Sequence, residues 1–322
     1  LIQQLTCVWR LSQSDFRYIL KSGSFISILI TGAVFIAILV LQTNPQTDMK
    51  TLPVTWVILG LPVIFFSLLI NALTFLYAGI LIHRARAARM SDLLHATPAP
   101  NWVFLSSKWI ALVKMQLVLL LLIMTAGIGI QAYEGYYHFD IGHYLFALFG
   151  IHLAGFLIWA FAALFVQTLF TNPYLGLFFL ILGALGISTG SSLGPESLVF
   201  RFNDNPEPDF FLHYSDMNGY GHALLPYFIY KSYWGVFGLF LFFLTLLFWQ
   251  RELTQSFMER IRLAKSRFSG ALPYPLIVLL CAFLAFGIYL HIAVNKPENK
   301  AFSAQEENML LAEFQQKYVG YN

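Results

Sequence analysis

Hydrophobic positions gather along this chain into seven long runs, near residues 25–41, 54–82, 110–131, 144–170, 174–193, 226–249 and 275–294. A segment in lipid must satisfy its own backbone N–H and C=O groups, so it is either a helix or part of a closed barrel. A helix needs roughly 20 apolar residues to cross the hydrocarbon. The apolar–polar alternation of barrel strands is absent from these runs. The pattern predicts an all-α, polytopic helical membrane protein with about seven transmembrane helices.

The polar stretches between the runs add an orientation. The segments before the first run, after the second and after the sixth carry thirteen of the nineteen Lys and Arg residues, from Arg10, Arg17 and Lys21 to Arg260, Arg262, Lys265 and Arg267. The other side holds Lys50, Arg201, Lys231, Lys296, Lys300 and Lys317, together with most of the acids. Excess cations mark the cytoplasmic side. The expectation is an N-terminus in the cytoplasm and a C-terminus outside, as an odd number of spans requires.

Composition agrees: 58% hydrophobic and 11% charged residues leave too little polar surface for a soluble globule. Cys7 on the cytoplasmic side and Cys281 in the last run should not pair, so no disulfide framework is expected. The chain starts at Leu1 without a cleavable signal pattern and reads as a segment of a longer protein.

Residues 1–23 form a cytoplasmic segment in which Leu5, Val8, Trp9, Phe16, Ile19 and Leu20 recur at helical spacing, with Ser12 interrupting the stripe. Arg10, Gln13, Ser14, Arg17 and Lys21 share another face. This helix either lies in the headgroup layer or extends the first span into the cytoplasm. Residues 84–97 form a second basic helix, with Arg84, Arg86 and Arg89 spread over its surface, a small apolar patch at Met90, Leu93 and Leu94, and Pro98 and Pro100 ending it. It either fixes topology at the membrane surface or docks a cytoplasmic partner. The external connection 194–225 is long and contains Tyr214, Ser215, Asp216, Met217, Asn218, Gly219, Tyr220, Gly221 and His222, where Gly and Asn favour tight turns. The 250–272 loop reads as a solvated topology anchor. Residues 296–322 read as an external linker with a helix-prone stretch at 304–318.

Little catalytic chemistry is visible. His138, Asp140, His143, His213, Asp216 and His222 gather outside, but their spacing fits no zinc signature. The glycines of 183–190 lack the Lys and the preceding strand of a phosphate loop and suit close helix packing instead. The chain should not hydrolyse ATP, and no metal or other cofactor is expected in it. His152 lies deep in a run, where an ionisable group marks a functional candidate. Asn71 and Gln167 read as interhelical hydrogen-bonders. No acid lies inside a run, so transport coupled to an intramembrane carboxylate is not indicated.

The stretch 84–102, R-A-R-A-A-R-M-S-D-L-L-H-A-T-P-A-P-N-W, resembles the segment after the second span of ABC-2-type exporter permeases. The nearest likeness is to the subgroup fused to a periplasmic zinc aminopeptidase. Asp15-Phe16-Arg17-Tyr18-Ile19-Leu20-Lys21 looks like the start of that subgroup's second membrane half. Tyr214-Ser215-Asp216-Met217-Asn218-Gly219-Tyr220-Gly221-His222 looks like its external loop motif, and Glu313-Phe314-Gln315-Gln316-Lys317-Tyr318 is similar to its linker to the peptidase. The peptidase's H-E-x-x-H helix is absent from this sequence.

The resemblance implies an ABC-2-type permease fold: a six-span permease domain over 24–272, a seventh span at 273–295 and the external linker at 296–322. It implies that 84–97, through Arg84, Arg86, Arg89, Met90, Asp92, Leu93 and Leu94, docks a separate ABC ATPase subunit that binds ATP and Mg. It further implies a second permease domain, as another copy or a paralogous half, and a bacterial inner membrane location, with no nucleic-acid partner. The other class of function that fits is a membrane anchor for a periplasmic peptidase or envelope assembly, without transport.

Overall fold

The computed structural model describes residues 2–42, 54–87, 99–193, 202–203, 214, 219–221, 224–249, 265, 267, 273–294 and 304–318. Its regular elements are helices: α1 (Ile2–Leu20), α2 (Gly23–Gln42), α3 (Thr55–Ala87), α4 (Asn101–Tyr133), α5 (Ile141–Leu145), a π-helical stretch (Phe146–His152), α6 (Leu153–Leu169), α7 (Pro173–Leu193), α8 (Leu224–Phe248), α9 (Pro273–Val294) and α10 (Ala304–Tyr318). Each of the seven apolar runs coincides, to within one residue at its ends, with part of one of these helices or of the continuous α5–π–α6 unit. Among the described residues, five helical stretches are long and apolar enough to cross a membrane: Phe66–Arg84, Asn101–Tyr133, Ile141–Leu169, Leu224–Phe248 and Pro273–Ala293. Two shorter apolar helices lie at Gly23–Gly32 and Pro173–Ile187. The chain is a multi-pass helical membrane protein.

Length decides where the membrane ends. α3 and α4 have 33 residues each, or about 50 Å at 1.5 Å per residue, against roughly 30 Å of hydrocarbon. Both must project. The C-terminal turns of α3 and the N-terminal turns of α4 meet at one end of the bundle, and α1 packs against them there. Its buried positions, Val8, Ser12 and Ile19, form one stripe at helical spacing. Asp15 meets Lys108, whereas Ser12 and Gln13 meet Lys114, so α1 runs back along α4. We call this the basic end.

Between the helices the core is Leu105, Leu112, Met115 and Leu119 of α4 against Ile70, Tyr77 and Leu81 of α3, all fully buried. Lipid tails are as apolar as these side chains, so association in the membrane rests on close packing and interhelical hydrogen bonds. Three buried glutamines supply the bonds. Gln116 Nε2 of α4 donates to Thr74 Oγ1 of α3 at 3.0 Å and to the Phe156 carbonyl of α6 at 3.1 Å. Gln131 Nε2 donates to Thr55 Oγ1 at 3.2 Å, and its Oε1 accepts from Tyr144 at 3.1 Å. Gln167 of α6 donates to the carbonyls of Phe75 and Pro173, linking α3, α6 and the start of α7.

The π-helical stretch adds a residue to one turn of the α5–α6 span. Leu153 N–H bonds Leu148 O five residues back, and nearby carbonyls turn to outside partners: Ile151 O accepts from Tyr227, and Gly155 O from Asn203. α9 stands at the edge, with Ile277, Val278, Leu284, Ile288 and Ile292 exposed. It meets α8 through Phe283, stacked on Tyr233 at 4.5 Å between centroids.

Candidate functional site

At the basic end, Asp15 of α1 collects two cations from two other helices. Arg84 Nη1, in the last turns of α3, donates to Asp15 Oδ1 at 2.9 Å, and Lys108 Nζ of α4 stands 3.6 Å from Asp15 Oδ2. The Asp15 side chain is 13% exposed and that of Arg84 36%, so the carboxylate is shielded while the guanidinium stays within reach of solvent and salt. The Arg84 guanidinium also lies 4.1 Å from the Tyr18 ring centroid. One turn back along α1, Lys114 donates to Ser12 Oγ at 2.9 Å and to Gln13 Oε1 at 3.2 Å, and lies 3.7 Å over the Trp9 ring. The Ser12 that interrupts the apolar stripe is thus the residue that receives a lysine. Ser22, just after α1, hydrogen-bonds the Tyr77 hydroxyl of α3. Arg267 donates to the Leu247 carbonyl at 3.2 Å and to the Trp249 carbonyl, placing a cation at the negative C-terminus of α8.

Of the residues proposed for docking, Arg84 stands at this junction and Arg86 lies in the last turn of α3. Arg89, Met90, Asp92, Leu93 and Leu94 lie outside the described residues. The sequence reading did not single out Asp15, although the signal was there: it is the sole acid among the first 47 residues and sits amid Arg10, Arg17 and Lys21.

At the opposite end, Tyr214 and Tyr220 of the long connection pack on the start of the α5–π–α6 unit. The Tyr214 ring lies 4.0 Å from His143 and 5.3 Å from Tyr220, which reaches Phe146 at 5.9 Å. Asp140 caps α5, its carboxylate accepting the His143 N–H at 3.0 Å. Gly219 and Gly221 have φ of 59° and 52°, the left-handed region open to glycine. Burial, and then the neighbouring Tyr214, push the Tyr220 phenol up to about 12. Asp216, Asn218 and His222 lie outside the described residues, as does His213. Among the described residues no group of three His, Cys, Asp or Glu gathers as for a metal.

A third polar place lies inside the bundle, and the sequence pattern did not reveal it. Lys231, counted above with the external cations, is 6% exposed. Its Nζ donates to the Asn203 carbonyl at 3.0 Å and to Asn203 Oδ1 at 2.8 Å. Asn203 Nδ2 in turn donates to the Gly155 carbonyl at 2.8 Å, and Tyr227 donates to the Ile151 carbonyl at 2.8 Å. Asn203 and Phe202 therefore enter the bundle from the long connection. The Phe202 ring sits edge-on to Trp159 at 4.9 Å and to Trp234 at 5.1 Å. Non-helical backbone at membrane depth is tolerated where protein covers it, and here aromatic rings and a lysine do so. A lysine within an apolar run was the available signal.

No family model, curated protein or solved structure matches this chain.

Proposed function

We propose that this chain is the transmembrane permease subunit, or half-subunit, of an ATP-driven ABC exporter of the ABC-2 type. It would cross a bacterial inner membrane seven times, with its N-terminus in the cytoplasm. The ABC ATPase subunit, carrying ATP and Mg, docks on 84–97, and a second permease domain completes the path. Nucleotide moves the spans only by binding one arrangement of the pair better than the other.

The observation that carries this reading is the junction at Arg84. A docking segment transmits force only if its root is fixed to the spans. Arg84 is tied through Asp15 to α1 and lies beside Lys108 of α4, so a displacement of the basic segment acts on three helices together. An anchor without transport has no need of such a junction. The anchor reading draws its support from α9, loosely held at the edge of the bundle, and from α10, whose Met309, Leu310, Leu311 and Phe314 are all exposed.

The test is the double charge reversal R86E/R89E in the chain purified from its own membrane with whatever ATPase accompanies it. Docking predicts that the ATPase is lost while the variant inserts normally. An ATPase retained at the wild-type ratio would leave 84–97 as a topology anchor and overturn the docking claim.

A further inference from the structure

We propose that α1 is a receptor for anionic phospholipid: Arg10, Arg17 and Lys21 take the phosphate headgroups, while Ile2, Leu5 and Trp9 enter the lipid beside them. The inference concerns the membrane surface and stands whether or not the chain exports anything.

The faces of α1 separate these residues. Val8, Ser12 and Ile19 are its buried positions. Arg10, Arg17 and Lys21 are exposed, and helical geometry puts them on one line, about half a turn from the buried stripe. Lys21 follows the helix, but its N–H bonds the Arg17 carbonyl at 3.1 Å, so the helical path reaches it. Ile2, Leu5 and Trp9 are exposed too and lie together on the flank between. One apolar flank beside one cationic flank is the arrangement of a helix that lies in a headgroup layer.

Charge sets the sign of the partner. Asp15, the sole acid of the first 47 residues, is already shared by Arg84 and Lys108. Among the described residues Arg10, Arg17 and Lys21 have no carboxylate partner, so α1 presents an uncompensated positive stripe. Depth then favours lipid over an acidic protein. Lys114 Nζ lies 3.7 Å over the Trp9 ring, and residues 115–133 of α4, which begin beside it, carry no charge. That is about the length that hydrocarbon requires, roughly 20 residues. Trp9 therefore stands where α4 enters the hydrocarbon, the level at which tryptophans gather. At the other end of α1, Ser22 hydrogen-bonds Tyr77, which belongs to the Phe66–Arg84 span. Both ends of α1 are thus tied at membrane level, and lipid is the apolar medium there for Ile2 and Leu5.

The experiment places the full chain in nanodiscs of phosphatidylcholine, with and without phosphatidylglycerol, and follows hydrogen exchange along α1. Phosphatidylglycerol should slow that exchange, and inorganic phosphate added to neutral discs should not. R17Q should reduce the slowing by about fivefold, the worth of one cation near an anionic surface. R10Q/R17Q/K21Q should abolish it, while α4 exchanges as in the wild type. Salt at about 1 M, where the Debye length is roughly 3 Å, should abolish it too. L5A removes apolar flank without weakening the helix and should speed exchange of α1 in both kinds of disc. Equal exchange of wild-type α1 in the two membranes, or slowing that survives the triple variant, overturns the proposal. An unchanged rate in L5A would put the flank in water and leave the stripe to an acidic protein partner, which also overturns it. Should the triple variant fail to insert, the wild type decides: slowing that persists at high salt sinks the lipid assignment.

Discussion

A Cβ placed on Gly176 would lie 2.4 Å from Gln167 Oε1, and one on Gly79 2.8 Å from Gln167 Nε2. Both glycines are required by the side chain between them. Its Nε2 has two carbonyl acceptors, which fixes the amide orientation and turns Oε1 toward the Gly176 backbone. G176A should therefore lower stability by about 1–3 kcal/mol, the usual cost of overpacking. G183A, where nothing lies within 4 Å, should leave it unchanged or raise it, since Ala favours helix over Gly. Thermal unfolding in detergent checks the pair, and the double variant G176A/Q167A should recover part of the loss. Tyr220 supplies a pH test. Its phenol is held near 12 against the ordinary 10, so the packed loop retains a proton that the released loop gives up. Loop protection should be complete below about pH 10 and decline as the pH rises toward 12. Protease accessibility against pH reads this, and Y220F should remove that part of the slope. Gly219, with φ 59°, should disfavour G219V by about 1–2 kcal/mol, read by the same protection assay at neutral pH.

At the scale of elements, α1 buries Val8 and Ile19 and adds polar contacts from Ser12, Gln13 and Asp15 to α4. D15N would leave Arg84 and Lys108 facing each other without the carboxylate. Because Arg84 is about a third exposed, solvent and salt reduce the loss, and about 1 kcal/mol is the expected scale. Hydrogen exchange should rise along α1 and in the last turns of α3, while the cores of α4 and α6 stay protected. D15N/R84Q should lose less than the two single variants combined. The existence of these helices was legible, because apolar runs of this length have one stable solution in lipid. The stripe of α1 was legible too, but Ser12 reads as a flaw until Lys114 is seen beside it. Gln116 and Gln131 escaped notice because one amide in an apolar run does not show which helix it faces. The burial of Lys231 was missed for a related reason. A linear pattern sets the ends of a span by hydropathy, and it cannot tell that a turn of the following or preceding connection folds inward to cover a charge.

For the whole molecule, the projecting ends of α3 and α4 are gathered by α1, and the proposed docking would deliver force there. At the opposite end Tyr214, His143 and Tyr220 pack ring against ring. Cysteines placed at Ser256 and Ser303 should label from opposite faces of sealed membranes; labelling from one face would contradict the seven-span topology. The most direct measurement of the central claim is magnesium-dependent ATP hydrolysis by the chain purified gently from its native membrane. Hydrolysis should accompany the wild type and be lost from R86E/R89E, while the two chains insert equally. Wild-type preparations that contain no ATP hydrolysis, or R86E/R89E preparations that hydrolyse ATP as fast as the wild type, would contradict it.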